Sequence, residues 1–253
     1  MEEAVMRYQL DTIPVWDAYK AGGECPLCAL RQQNEAMYVD SFLGASVMEP
    51  DTRVEVNEKG FCPEHFRQMF AQKNRLGLAL ITHTYMKDVI ASVDAILEGA
   101  AEAEGGGLLR RLGGKPSAKE NPGAAVRART GKCVLCERLD YTMRRYAYTL
   151  VHLFTHDREF QRAFLDSQGL CLQDTALVLD MAGEMLSGRE RTAFFRAVRD
   201  VQQKNLERVE KELEWFTLKF DYRNQDKPWG NSRDALERAI NKLQGACVHG
   251  GEA

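Results

Sequence analysis

Apolar residues recur at helical spacing along most of the chain. Leu78, Ile81, Tyr85, Val89, Val93 and Ile96 return every three or four residues, which places them on one face of an α-helix ending near Glu98. Leu135, Leu139, Met143, Tyr146, Leu150 and Leu153 predict a helix that opens at Cys133. Phe195, Val198, Val201, Val209, Leu213, Phe216 and Phe220 predict a long amphipathic helix over 189–220. Shorter helices are expected over 12–21, over 51–58, from Cys62, where Phe66, Met69 and Phe70 share a face, near Cys171, and over 231–244. A looser helical pattern, Ala29, Met37, Phe42 and Leu43, follows Cys28. Pro50 suits a helix start or a break, and Gly60 a stop. No segment alternates with the two-residue period of a half-buried strand, so the expected fold is all-α.

The pattern breaks over 99–132, "GAAEAEGGGLLRRLGGKPSAKENPGAAVRARTGK", where glycine is dense. This stretch predicts a flexible linker, with room for a brief helix over 108–112. The expected organisation is therefore a first Cys3His helical module over 1–99, a Gly-rich linker over 100–132 and a second Cys-rich helical module over 133–186. Helices over 187–245 are expected to pack across both modules.

Composition narrows the function classes. A chain of 253 residues is long enough to bury a core, and 44 % hydrophobic with 28 % charged residues is ordinary for a soluble protein. The net charge of -3 gives no electrostatic case for nucleic acid, so nucleic acid is not an expected partner. No apolar run reaches the roughly 20 residues that span a bilayer, and "MEEAVMRYQLDTIP" lacks the order of a secretory leader. A cytoplasmic location and no membrane contact follow as expectations. The partner, protein or small molecule, and the oligomeric state stay open.

Seven cysteines change the picture, because six of them fall into two spaced sets. Cys25-x2-Cys28 is followed, after 33 residues, by Cys62-x2-His65. Cys133-x2-Cys136 is followed, after 34 residues, by Cys171-x2-Asp174. Gly60-Phe61 precedes one second knuckle and Gly169-Leu170 the other. The near-equality implies an internal duplication. Cys25, Cys28, Cys62 and His65 carry the donor chemistry of a structural Zn2+ site. Each pair falls at an expected helix start, where exposed amides and the helix dipole favour thiolates. Cys133, Cys136, Cys171 and Asp174 form the second expected set, and a second Zn2+ there is left open. His152 and His156 are alternatives to Asp174; on one continuous helix His152 would lie about 24 Å from Cys136, which disfavours it. A redox Cys-x-x-Cys is disfavoured, since no βαβ pattern surrounds these pairs.

A second candidate surface is "EWFTLKFDYRNQDKPWG", where Trp215, Asp221, Tyr222, Arg223, Asn224 and Trp229 mix aromatic and hydrogen-bonding groups. Such a mixture builds a pocket or partner surface, or anchors a turn between helices. His83, beside Ile81 and Tyr85, reads as a helix histidine. "RRLGGK" lacks the first glycine and the Ser/Thr of a phosphate loop, and no nucleophile elbow or H-E-x-x-H is present.

Together, "CPLC", "GFCPEHFRQM", "NRLGLAL", "CVLCERL", "GLCLQD" and "WFTLKFDYRNQDKPWGNS" resemble an uncharacterised bacterial family of unknown function. The family pairs CxxC…CxxH motifs with a C-terminal WFxxKFDYRN motif. The resemblance runs from Asp11 to about Leu243, and its most specific part is Trp215 to Ser232. It implies no established activity. It implies histidine where this chain has Asp174, a departure that bears on metal binding at the second set. Some members are labelled ABC transporter substrate-binding protein, which does not suit a chain without an export signal or an α/β two-lobe pattern. The reading that results is a zinc-binding structural or interaction protein. Two alternatives stand beside it: a metal-dependent enzyme using the second Cys set or the Asp221–Trp229 region, and a nucleic-acid-binding zinc module. The last would gather Arg110, Arg111, Lys115, Arg127, Arg129 and Lys132 on one face.

Overall fold

A computed structural model describes residues 2–104 and 121–248. Among these residues the chain forms α-helices and short 3-10 turns, with no strand. In order, the helices are α1 (Glu2–Ala21), α2 (Pro26–Leu43), α3 (Pro50–Lys59), α4 (Pro63–Ala71), α5 (Arg75–Glu104), α6 (Pro122–Thr130), α7 (Val134–His156), α8 (Arg158–Asp166), α9 (Leu172–Met185), α10 (Gly188–Leu218) and α11 (Ala235–Gln244).

The starts and stops follow local chemistry. Pro50, Pro63 and Pro122 sit in the first turn of α3, α4 and α6, where a missing N–H costs nothing. Asn121 and Asp157 cap α6 and α8 by accepting backbone N–H bonds. Gly60 ends α3 with φ 67° and ψ -159°, a conformation open essentially to glycine alone.

The chain divides into two compact units. One comprises Met1–Gln33 with Tyr141–Ala253, the other Asn34–Asp140. The boundaries fall inside α2 and α7, so each of these helices contributes residues to both units. This differs from the modules expected from the sequence. The C-terminal helices were expected to pack across both modules; α10 and α11 pack on each other and on α9, within the first unit. The expected linker is in part helical, since α5 runs on to Glu104 and α6 occupies Pro122–Thr130. The brief helix expected over 108–112 lies outside the described residues.

The first unit is built on aromatic edges. Phe160 meets Trp16 at 5.2 Å and Tyr19 at 4.9 Å, and Phe154 meets Phe164 at 5.3 Å and Phe194 at 4.9 Å. Such edge-to-face pairs add to the burial itself. Phe194, rather than the expected Phe195, points inward from α10, and Phe220 is exposed. The second unit packs Val39, Phe42, Val56, Phe61, Met69, Leu78 and Ile81 into one core that reaches Cys133, Val134 and Leu135. Met69 is buried there, whereas Phe70 is exposed with Arg75 over its ring at 3.7 Å.

Candidate metal centres

Four short knuckles bring the chemistry together, each at the start of a helix. Cys25-x2-Cys28 opens α2, Cys62-x2-His65 opens α4, Cys133-x2-Cys136 opens α7 and Cys171-x2-Asp174 opens α9. Cys62 and Cys171 are the residues just before α4 and α9, with near-identical backbones (φ -70°, ψ 164° and φ -71°, ψ 164°). In three knuckles the amide of the later residue points at the earlier sulfur: Cys28 N to Cys25 Sγ (3.4 Å), Cys136 N to Cys133 Sγ (3.5 Å) and Asp174 N to Cys171 Sγ (3.3 Å). Such amides favour a thiolate.

The knuckles group differently from the expectation. Cys62, His65, Cys133 and Cys136 form one cluster, and Cys25, Cys28, Cys171 and Asp174 form the other. The expected sets, Cys25 and Cys28 with Cys62 and His65, and Cys133 and Cys136 with Cys171 and Asp174, are thus corrected by exchange of the second knuckles. The physical reason is the long helix behind each Cys-x-x-Cys. The 18 residues of α2 carry the chain about 27 Å onward, out of the unit that holds Cys25 and Cys28. Each cluster lies wholly within one compact unit. Neither His152 nor His156 belongs to a cluster; the two rings stack on α7 at 4.0 Å.

Within each cluster all four donor atoms lie within 4.8 Å of one another, so each cluster could hold a metal ion. The spacings suit a single tetrahedral ion. Zinc–sulfur bonds of about 2.3 Å give a tetrahedron edge of about 3.8 Å. Cys62 Sγ and Cys136 Sγ are 3.8 Å apart, and Cys28 Sγ and Cys171 Sγ 3.6 Å. These separations are far beyond the roughly 2.05 Å of a disulfide. His65 Nδ1 lies 3.2 Å from Cys62 Sγ, 3.2 Å from Cys133 Sγ and 3.4 Å from Cys136 Sγ. Asp174 Oδ2 lies 3.2 Å from Cys25 Sγ, 3.3 Å from Cys28 Sγ and 3.2 Å from Cys171 Sγ.

The surroundings complete the donors. His65 Nε2 faces Glu35 at 3.0 Å, the carboxylate–imidazole pair that orients a ligating ring. Asp174 is 1 % exposed, with Arg31 at 3.7 Å from its other oxygen. Burial, and then the charge of Cys171, push its carboxyl up to about 6. Burial opposes ionisation of Cys133, yet its hydrogen bonds to His65 and to backbone amides bring it down to about 6. Hydrogen bonds from Cys25 and Cys28 lower Cys171. The Tyr19 hydroxyl is buried with no hydrogen-bond partner, and burial and the negative charges of Cys25 and Asp174 push its pKa up.

Charge separates the two centres. Three thiolates and a neutral imidazole around a dication leave one negative charge; replacing the imidazole by the Asp174 carboxylate leaves two. The Asp174 cluster has extra cations near it. Besides Arg31, the ammonium of Lys242 on α11 donates to the carbonyls of Glu24 and Gln168, and lies 3.3 Å from the Glu24 carboxylate. Glu24 immediately precedes Cys25, and Gln168 leads into Cys171. Neither Lys242 nor Glu35 carries a sequence signal: each sits far from the knuckle it supports.

A family model described as a family of unknown function, DUF6062, matches residues 6–250. The chain belongs to that family. No curated protein and no solved structure matches the chain. The DUF6062 match takes in both clusters and the C-terminal motif.

In this DUF6062 chain that motif folds on itself. Lys219, nearly buried, donates to the carbonyls of Asn224 (2.7 Å), Gln225 (2.7 Å) and Lys227 (2.6 Å) and lies 5.2 Å from the Trp229 ring centre. Trp215 Nε1 donates to Pro228 O at 3.1 Å, Asn224 Nδ2 to Leu218 O at 2.9 Å, and Arg223 pairs with Asp221. Tyr222 is exposed. These bonds anchor the turn after α10. A shallow cavity of the first unit lies elsewhere, lined by Phe154, His156, Asp157, Arg158, Gln161 and Glu190. Of the six basic residues in the nucleic-acid alternative, Arg110, Arg111 and Lys115 lie outside the described residues. Arg129 is engaged with Asp88 and with the carbonyls of Asn57 and Glu58. His83 is exposed on α5. No helix of the described residues is long and apolar enough to cross a membrane.

Proposed function

We propose that this chain is a two-zinc protein in which each ion clamps one compact unit, and that its role is structural or interactive rather than catalytic. The observation that carries the reading is the pair of closed four-donor clusters, each joining helix starts far apart in sequence. Three thiolates with one nitrogen or oxygen match zinc, and four protein donors leave no coordination position for a substrate or an activated water. Binding at such a site is folding free energy, on the order of 10 kcal/mol for structural zinc. The Asp221–Trp229 region supports the same reading, since Trp215, Asp221, Arg223 and Asn224 bond within its own turn.

Elemental mass spectrometry on protein purified without added metal or a histidine tag tests this. The expected result is two zincs per chain, with a fall in thermal midpoint on chelation. A metal-free protein with all seven thiols freely titrating and unchanged stability in chelator would overturn it.

A further inference from the structure

Helix α5 is apolar on two opposite faces. One is used within its own unit: Leu78 and Ile81 are buried in the core, and Tyr85 donates to Arg129 O at 3.1 Å. The other is open. Leu76, Met86, Ile90 and Leu97 are 71, 60, 61 and 57 % exposed. With Ala79, Val93 and Ala100 they trace a seven-residue repeat, one row at 76, 83, 90 and 97 and the other at 79, 86, 93 and 100. His83 is the single polar member. A helix with one buried face normally turns polar residues to water. Two apolar rows at this spacing are the seam of a two-stranded coil.

We propose that this face of α5 pairs with the same face of a second copy of the chain, running antiparallel. The charges beside the seam select that occupant. Lys87 and Asp94 are exposed and occupy the same flanking position one repeat apart. In an antiparallel pair this flank meets itself. With Ile90 against the partner's Val93, Met86 meets the partner's Leu97 and His83 the partner's Ala100. Lys87 then lies beside the partner's Asp94, and the two-fold axis makes the same pair a second time. A parallel pair would set Thr82 against the partner's Lys87 and Val89 against the partner's Asp94, with no charge matched. The paired stretch, His83 to Ala100, is about 26 Å long.

Light scattering after size exclusion, on the full chain over a range of concentrations, tests the pairing. Wild type is expected as a dimer. Ile90→Glu places an unpaired charge in the seam and is expected to give a monomer with unchanged metal content and helicity. Lys87→Glu should weaken the dimer roughly tenfold, and adding Asp94→Lys should restore it. A monomeric wild type, or a dimer untouched by Ile90→Glu, would overturn the proposal. A monomer that Ile90→Glu destabilises would show the face covered within the chain, which overturns it as well. Failure of the double charge reversal to restore the dimer would refute the antiparallel register.

Discussion

Gly60 and Gly169 set the approach of the chain to the two centres. Both have positive φ, 67° and 78°. A methyl group on Gly60 would meet the Tyr85 ring at 2.5 Å, and one on Gly169 would collide with the Gln202 side-chain oxygen. Gln202 fills that space because its side chain accepts from Leu170 N and donates to Leu170 O, gripping the strand of chain just before Cys171. Gly60 O accepts from Val134 N at 3.1 Å, tying the Cys62 knuckle to the Cys133 knuckle. Gly60→Ala therefore combines a disfavoured backbone with a steric clash. It is expected to cost about 3 kcal/mol, read as a lower midpoint in chemical denaturation of the zinc-loaded protein. The "GF" and "GL" prefaces were legible as a repeat in the sequence. Their partners, Tyr85 and Gln202, were not, because each comes from a helix that only packing brings there.

At the scale of elements, the centres are made by helix starts, and supported by helices that carry no ligand. Lys242 of α11 holds the two loops that deliver Cys25 and Cys171, and it is 2 % exposed. Burial lowers its pKa, and the Glu24 carboxylate works against that. Lys242→Met keeps most of the volume but leaves the Glu24 and Gln168 carbonyls without this donor, a loss of about 2 kcal/mol. Thermal unfolding should show this, and the Asp174 centre should release its metal to a chelator before the His65 centre does. Equal release from both centres would remove Lys242 from any role at the first. The helices themselves were largely readable from apolar spacing. The errors fall where spacing is ambiguous by one residue, as with Phe195 for Phe194, where helical sequence is rich in glycine and alanine, as at the ends of α5 and α6, and at α8, which is too short for its apolar spacing to stand out.

For the whole molecule, the four knuckles are nested: the outer pair forms one centre and the inner pair the other. The eight clustered donor side chains were legible residue by residue, but their grouping was not. Near-equal spacing within each half suggested the pairing along the sequence, whereas contact is decided by where α2 and α7 carry the chain. A duplication that exchanges its second knuckles leaves the same spacing as one that does not. The same limit applies to the surface of α5, whose two apolar faces merge into one unbroken helical pattern in the sequence.

Zinc stoichiometry in paired cysteine variants distinguishes nested knuckles from knuckles paired within each half. Cys25→Ser with Cys171→Ser removes two donors from a single centre, so one zinc per chain should remain. Cys25→Ser with Cys62→Ser damages both centres, and neither zinc should be retained against a chelator. One zinc kept by the second variant and none by the first would contradict the nested grouping.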